Sequence, residues 1–145
     1  MTDHIEALKS LRTSLIDSRN GYQEALEDAE GKGLTPLFRD MIALRSKDID
    51  GLTPFLIAYG EDAGQEGSFM SSVHRTVIGI RSILTGLDES ILPGLIDGEN
   101  RILGYYESAI ELTENGSSEY ITLIKQRDTL QFKISEMQAR KDKAA

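Results

Sequence analysis

A chain of 145 residues with 39% hydrophobic and 28% charged side chains carries enough apolar surface for one core and the length of one domain, spanning residues 1–145. It has no cysteine, which excludes disulfides, thiolate metal ligands and a cysteine nucleophile. With 24 acidic against 16 basic residues, the net charge of −8 repels phosphate backbones and anionic lipid, so nucleic acid and membrane are set aside as partners. The amino terminus is charged from Asp3 onward and no apolar run approaches the roughly 18 residues of a membrane span, so a cytoplasmic location is expected.

The first helix is expected over about residues 3–30. Ile5, Leu8, Leu11, Leu15, Ile16, Tyr22, Ala25 and Leu26 recur at threes and fours and make one apolar stripe. Asp3 with Glu6 has the form of a capping box, and Gly31 and Gly33 supply the stop. A second helix, about 35–59, opens with Thr35 as a hydroxyl N-cap and Pro36 in the first turn. Its stripe is Leu37, Met41, Leu44, Ile49, Leu52, Phe55 and Tyr59, and Gly60 ends it. Pro54 removes a backbone hydrogen bond inside that pattern, which predicts a kink near Asp50 to Thr53.

Glu61 to Gly67 reads as a loop, followed by a shorter helix over about 68–85 carrying Phe69, Val73, Val77, Ile80 and Leu84 on one side. The third long helix, about 89–114, tolerates Pro93 near its start and carries Leu95, Ile102, Tyr106, Ala109 and Leu112 until Asn115-Gly116 stops it. The fourth, about 118–141, carries Tyr120, Ile124, Leu130, Ile134 and Met137. No segment has the alternation of a strand.

Short connections join the first helix to the second and the third to the fourth, so each pair is expected to be antiparallel. The long stretch between these hairpins suits a crossover along the bundle. The expected fold is therefore all-α: a ferritin-like antiparallel four-helix bundle, up-down-down-up, with a short crossover helix between the second and third long helices. Three motifs carry a family likeness: Gly21-Tyr22-Gln23-Glu24-Ala25 in the first helix, Val73-His74-Arg75 in the crossover, and Asp97-Gly98-Glu99 followed by Tyr105 or Tyr106 in the third. Over roughly residues 3–141 the chain resembles a bacterial family of ferritin-like four-helix-bundle domains of unknown function. That resemblance implies the fold and assigns no activity.

Ferritin-like metal chemistry needs a Glu on each of two helices and Glu-x-x-His on the other two, since positions i and i+3 share one helix face and grip one ion together. No Glu-x-x-His occurs, and the two histidines are His4 and His74. What the heptads do offer is a polar layer. Asp48 falls on the line of Met41 and Phe55, and Glu99 on the line of Leu92 and Tyr106; Ser18 lies level with Asp48, and near the seam of the fourth helix Gln131 matches Glu99 better than Arg127, which is offset by about 6–9 Å. Asp48 and Glu99 are expected to point inward with polar partners; the competing arrangement turns Asp48 to solvent beside Ile49 and Leu52 and leaves Glu99 at its stripe's edge. A buried layer of this kind fixes register when every member is satisfied.

His74-Arg75 is the candidate contact for an anion or for a partner's carboxylate, against the simpler role of tying the crossover helix down. No Ser-His-Asp order, phosphate loop or dinucleotide fingerprint is present. No catalytic residue, metal ligand or cofactor is therefore assigned. The expected class is a non-enzymatic structural, assembly or stress-associated protein acting through its surface, with another protein or a second copy as partner. The alternative is a metal-binding or redox protein with a reduced, carboxylate-only site in the bundle core.

Overall fold

The computed structural model describes residues 2–28, 33–61 and 89–144. These form four helices: α1 (Thr2–Asp28), α2 (Thr35–Ala58), α3 (Leu92–Leu112), preceded by a 3-10 turn at Glu89–Ile91, and α4 (Ser118–Ala144). Among the described residues the protein is all-α without a strand, and no helix is long and apolar enough to cross a membrane. The helix expected over about 68–85 lies outside the described residues, as does nearly all of the loop before it.

Local chemistry explains the end of α2 and the start of α4. At the end of α2, Gly60 takes φ +82°, its N–H bonds the carbonyl of Ile57 at 2.9 Å, and the N–H of Glu61 reaches back to Leu56 at 3.0 Å. This is the paired closure that a left-handed glycine permits after a last turn. At the start of α4, Ser117 Oγ accepts from the N–H of Tyr120 at 3.1 Å, a side-chain N-cap. The start of α2 corrects the expected hydroxyl cap: Thr35 is already helical, and the N-cap is Leu34, which makes no side-chain cap bond. Leu34 is fully buried and its carbonyl accepts from Phe38 at 3.0 Å, so apolar burial anchors this entry. Through Pro54 the helix α2 runs uninterrupted, and the Thr53 hydroxyl donates to the Ile49 carbonyl at 2.8 Å.

The amino end of α1 lies beside the carboxyl end of α2, where the His4 and Tyr59 rings meet edge to face at 5.3 Å. Farther along, Tyr22 of α1 meets Phe38 near the start of α2, again edge to face, at 4.9 Å. α3 packs on both α1 and α4, and α4 also reaches α2. The core divides into two apolar clusters. One gathers Tyr22, Ala25, Leu34, Phe38, Met41, Leu92, Ile96 and Met137; the other gathers Leu8, Leu11, Leu15, Ile49, Leu52, Ala109, Leu123 and Leu130. Burying each Leu or Ile side chain stabilises the fold by about 1.5–3 kcal/mol before the cost of ordering it.

Candidate functional site

Between the two clusters, on α2, lie Arg45 and Asp48, and on α3 lies Glu99. All three are buried, with 1%, 5% and 2% of their surface exposed. Arg45 Nη2 donates to Glu99 Oε1, and the phenol of Tyr22, from α1, donates to Glu99 Oε2 at 2.6 Å. Both carboxylate oxygens of Glu99 are thereby engaged. Arg45 Nε is also buried and has no hydrogen-bond partner among the described residues.

One turn further along α2, the single hydrogen of the Tyr106 phenol of α3 has two acceptors, Gln126 Oε1 of α4 at 2.8 Å and Asp48 Oδ2 at 3.4 Å. Gln126 Nε2 donates to the backbone carbonyl of Asp48 at 3.2 Å. This approach depends on Gly51: a Cβ there would stand 2.9 Å from Gln126 Nε2.

Electrostatics follow from burial and from neighbours. Burial works against the Arg45 charge, but Glu99 and the phenols of Tyr22 and Tyr106 outweigh it and hold the guanidinium above its ordinary value. Burial raises the Tyr22 phenol well above its ordinary value, and the Glu99 charge adds to the shift. Tyr106 is raised by burial and then by Asp48. Asp48 is pushed up to about 6 by burial, against the opposing pull of Arg45, Tyr106 and Lys47. Both phenols therefore stay neutral donors across physiological pH.

Of the residues expected in this layer, Asp48 and Glu99 face inward with polar partners. Ser18 is half-buried on α1 and makes no hydrogen bond to them among the described residues. Arg127 and Gln131 are a correction. Arg127 lies at the surface on Glu107 and Asp128, at 3.3 and 3.1 Å, and Gln131 is exposed. The buried face of α4 runs through Glu119, Leu123, Gln126, Leu130 and Met137, so Arg127 and Gln131 each sit one position, about 100°, round the helix from a buried neighbour. The same displacement leaves Tyr120 and Ile124 half-buried. His74 and Arg75 lie outside the described residues.

Residue reasoning missed Arg45, Gln126 and the hydrogen-bonding use of Tyr22 and Tyr106. The signal for Arg45 was present: it stands in the three-four rhythm Phe38, Met41, Arg45, Asp48, Leu52, which a search along seven-residue lines alone passes over. A second unforeseen cluster closes one end of the bundle. There Glu119 accepts from Tyr59 at 2.5 Å on Oε1 and meets His4 Nε2 through Oε2, joining α4, α2 and α1. Burial, then the bond to Glu119, pushes the Tyr59 phenol up to about 12.

No group of three or more His, Asp or Glu side chains placed to hold a metal occurs among the described residues. Neither a curated protein nor a solved structure matches the chain. The family model described as Domain of unknown function (DUF2383) matches residues 3–112, more than half of the length, and the chain belongs to that family.

Proposed function

We propose that this protein is a ferritin-like, antiparallel bundle that acts through its surface as a non-enzymatic structural, assembly or stress-associated module in a bacterial cytoplasm. Contacts between elements support the up-down-down-up order. His4 beside Tyr59 and Tyr22 beside Phe38 set α1 against α2. Leu92 and Ile96 share a cluster with Tyr22 and Ala25, whereas Ala109 shares one with Leu8, which sets α3 against α1 as well. His4 on Glu119 brings the starts of α1 and α4 together. In that order α2 ends, and α3 begins, at opposite ends of the bundle, which supports a crossover between them.

The observation that carries the functional reading is the Arg45–Glu99 pair. At mid-bundle, where ferritin-like proteins place metal ligands on facing helices, this chain sets its own fixed cation against a carboxylate whose second oxygen is held by Tyr22. A divalent ion at that level would meet the guanidinium's repulsion and find, among the described residues, one further buried carboxylate, Asp48, too few for a hard cation's six or so oxygen ligands. Protein purified without chelator from cells grown with iron and manganese is expected to hold well under one equivalent of either, by elemental analysis. Stoichiometric iron together with oxygen consumption would overturn this reading in favour of a redox protein.

A further inference from the structure

The bonds around Asp48 do not close when its carboxyl is ionised. Tyr106 has one hydroxyl hydrogen, and Gln126 Oε1, which has none to offer, takes it at 2.8 Å. Reversing the Gln126 amide would set its oxygen against the Asp48 carbonyl, now 3.2 Å from Nε2, so that carbonyl fixes the orientation. With the phenol hydrogen turned to Gln126, the Asp48 carboxylate faces a phenol lone pair at 3.4 Å and has no other hydrogen bond among the described residues. In that orientation Oδ2 of a largely buried carboxylate has no protein donor among the described residues.

One added proton completes the circuit. We propose that Asp48, Tyr106 and Gln126 form a proton-operated latch: protonated Asp48 donates to Tyr106, which donates to Gln126, which donates back to the Asp48 carbonyl, locking α2, α3 and α4 together, and loss of the proton opens the ring. The groups facing Asp48 set the balance. On α2, Arg45 and Lys47 favour the ionised form, and on α3 so does Tyr106 whenever its hydrogen turns to Asp48, with Glu99 committed to Arg45; the facing group of α4 is the neutral Gln126; on α1, Tyr22 is committed to Glu99. Burial outweighs the cations and the Tyr106 bond and moves the titration of Asp48 up to about 6.

The sign follows from proton linkage. The folded state binds the Asp48 proton more tightly than the unfolded chain, whose carboxyl has the ordinary value of 3.8, so the latch's contribution is full below about 4 and is lost as pH rises through about 6. Relative to Asp48→Asn, whose amide N–H replaces the proton's donation to Tyr106, the wild-type unfolding constant should rise about fiftyfold from pH 4 to pH 7, since the carboxyl of the unfolded chain is already more than half ionised at pH 4.

Carbon-13 titration of the full-length chain tests the coupling directly. The Asp48 carboxyl is expected to titrate near pH 6, with the Gln126 side-chain amide shifting at the same midpoint. A midpoint near 4, or a Gln126 amide unmoved through it, overturns the latch. Gly51→Ala supplies the second arm, because it leaves every titrating group in place while its Cβ displaces Gln126 Nε2. In that variant the Gln126 response should vanish; persistence at the Asp48 midpoint would also overturn the proposal.

Discussion

Arg45 shows how a single buried charge is tolerated. Taking a guanidinium out of water costs several kcal/mol, and the Glu99 contact offsets that only while both members are present. Arg45→Met would leave Glu99 buried beside Tyr22 without its counter-ion, with an expected loss of about 3–5 kcal/mol in denaturant unfolding. Adding Glu99→Met should recover part of that loss, since two apolar side chains of similar volume replace the pair, while the Tyr22 phenol left without its acceptor keeps a residual cost of about 1–3 kcal/mol. A double variant no more stable than the single one would show that the pair is held by something other than its own charges.

Helix ends respond to local rules, and Gly60 is the sharpest instance. Its φ of +82° suits no L side chain, and a Cβ there would meet no neighbouring atom, so Gly60→Ala isolates backbone strain from packing. The expected loss is about 1–2 kcal/mol, read from the thermal midpoint. An unchanged midpoint would mean that the Gly60 and Glu61 hydrogen bonds had moved to another closure. Cues of this kind act over one turn, and they were legible at Gly60 and at Ser117, where a left-handed glycine and a hydroxyl cap do what the sequence pattern asks of them. The phase of α4 was not legible. Glu119 beside Tyr120 and Leu123 beside Ile124 offer two stripes one position apart, and the buried one contains the polar residues Glu119 and Gln126. Tyr59 and Tyr106 select it by hydrogen bonding from other helices.

At the scale of the whole molecule, the chain leaves α2 beside His4 and enters α3 beside the cluster of Tyr22 and Phe38. The 24 residues of α2 correspond to about 36 Å of helix axis. Replacing residues 62–88 with a six-residue Gly-Ser linker, whose reach is about 20 Å, cannot connect those two points within one molecule. Such a variant is expected to lose its monomeric fold or to exchange helix pairs between copies, seen as dimers in size-exclusion chromatography with light scattering. A stable monomer with an undiminished unfolding transition would refute the proposed helix order.

The sequence by itself determined helical content, the four long helices among the described residues, and the candidacy of Asp48 and Glu99, because each depends on periodicity or on groups within a few residues. Only the tertiary structure decided which side chains complete the polar layer. Arg45, Tyr22, Tyr106 and Gln126 come from four helices, and the hydrogen bonds joining them connect residues 20 to 78 positions apart. A carboxylate on an apolar stripe looks the same in sequence whether it meets water or a guanidinium. The choice lies with the neighbouring helix, whose rotation is set by the whole apolar face it buries and by the few hydrogen bonds that fit only one phase.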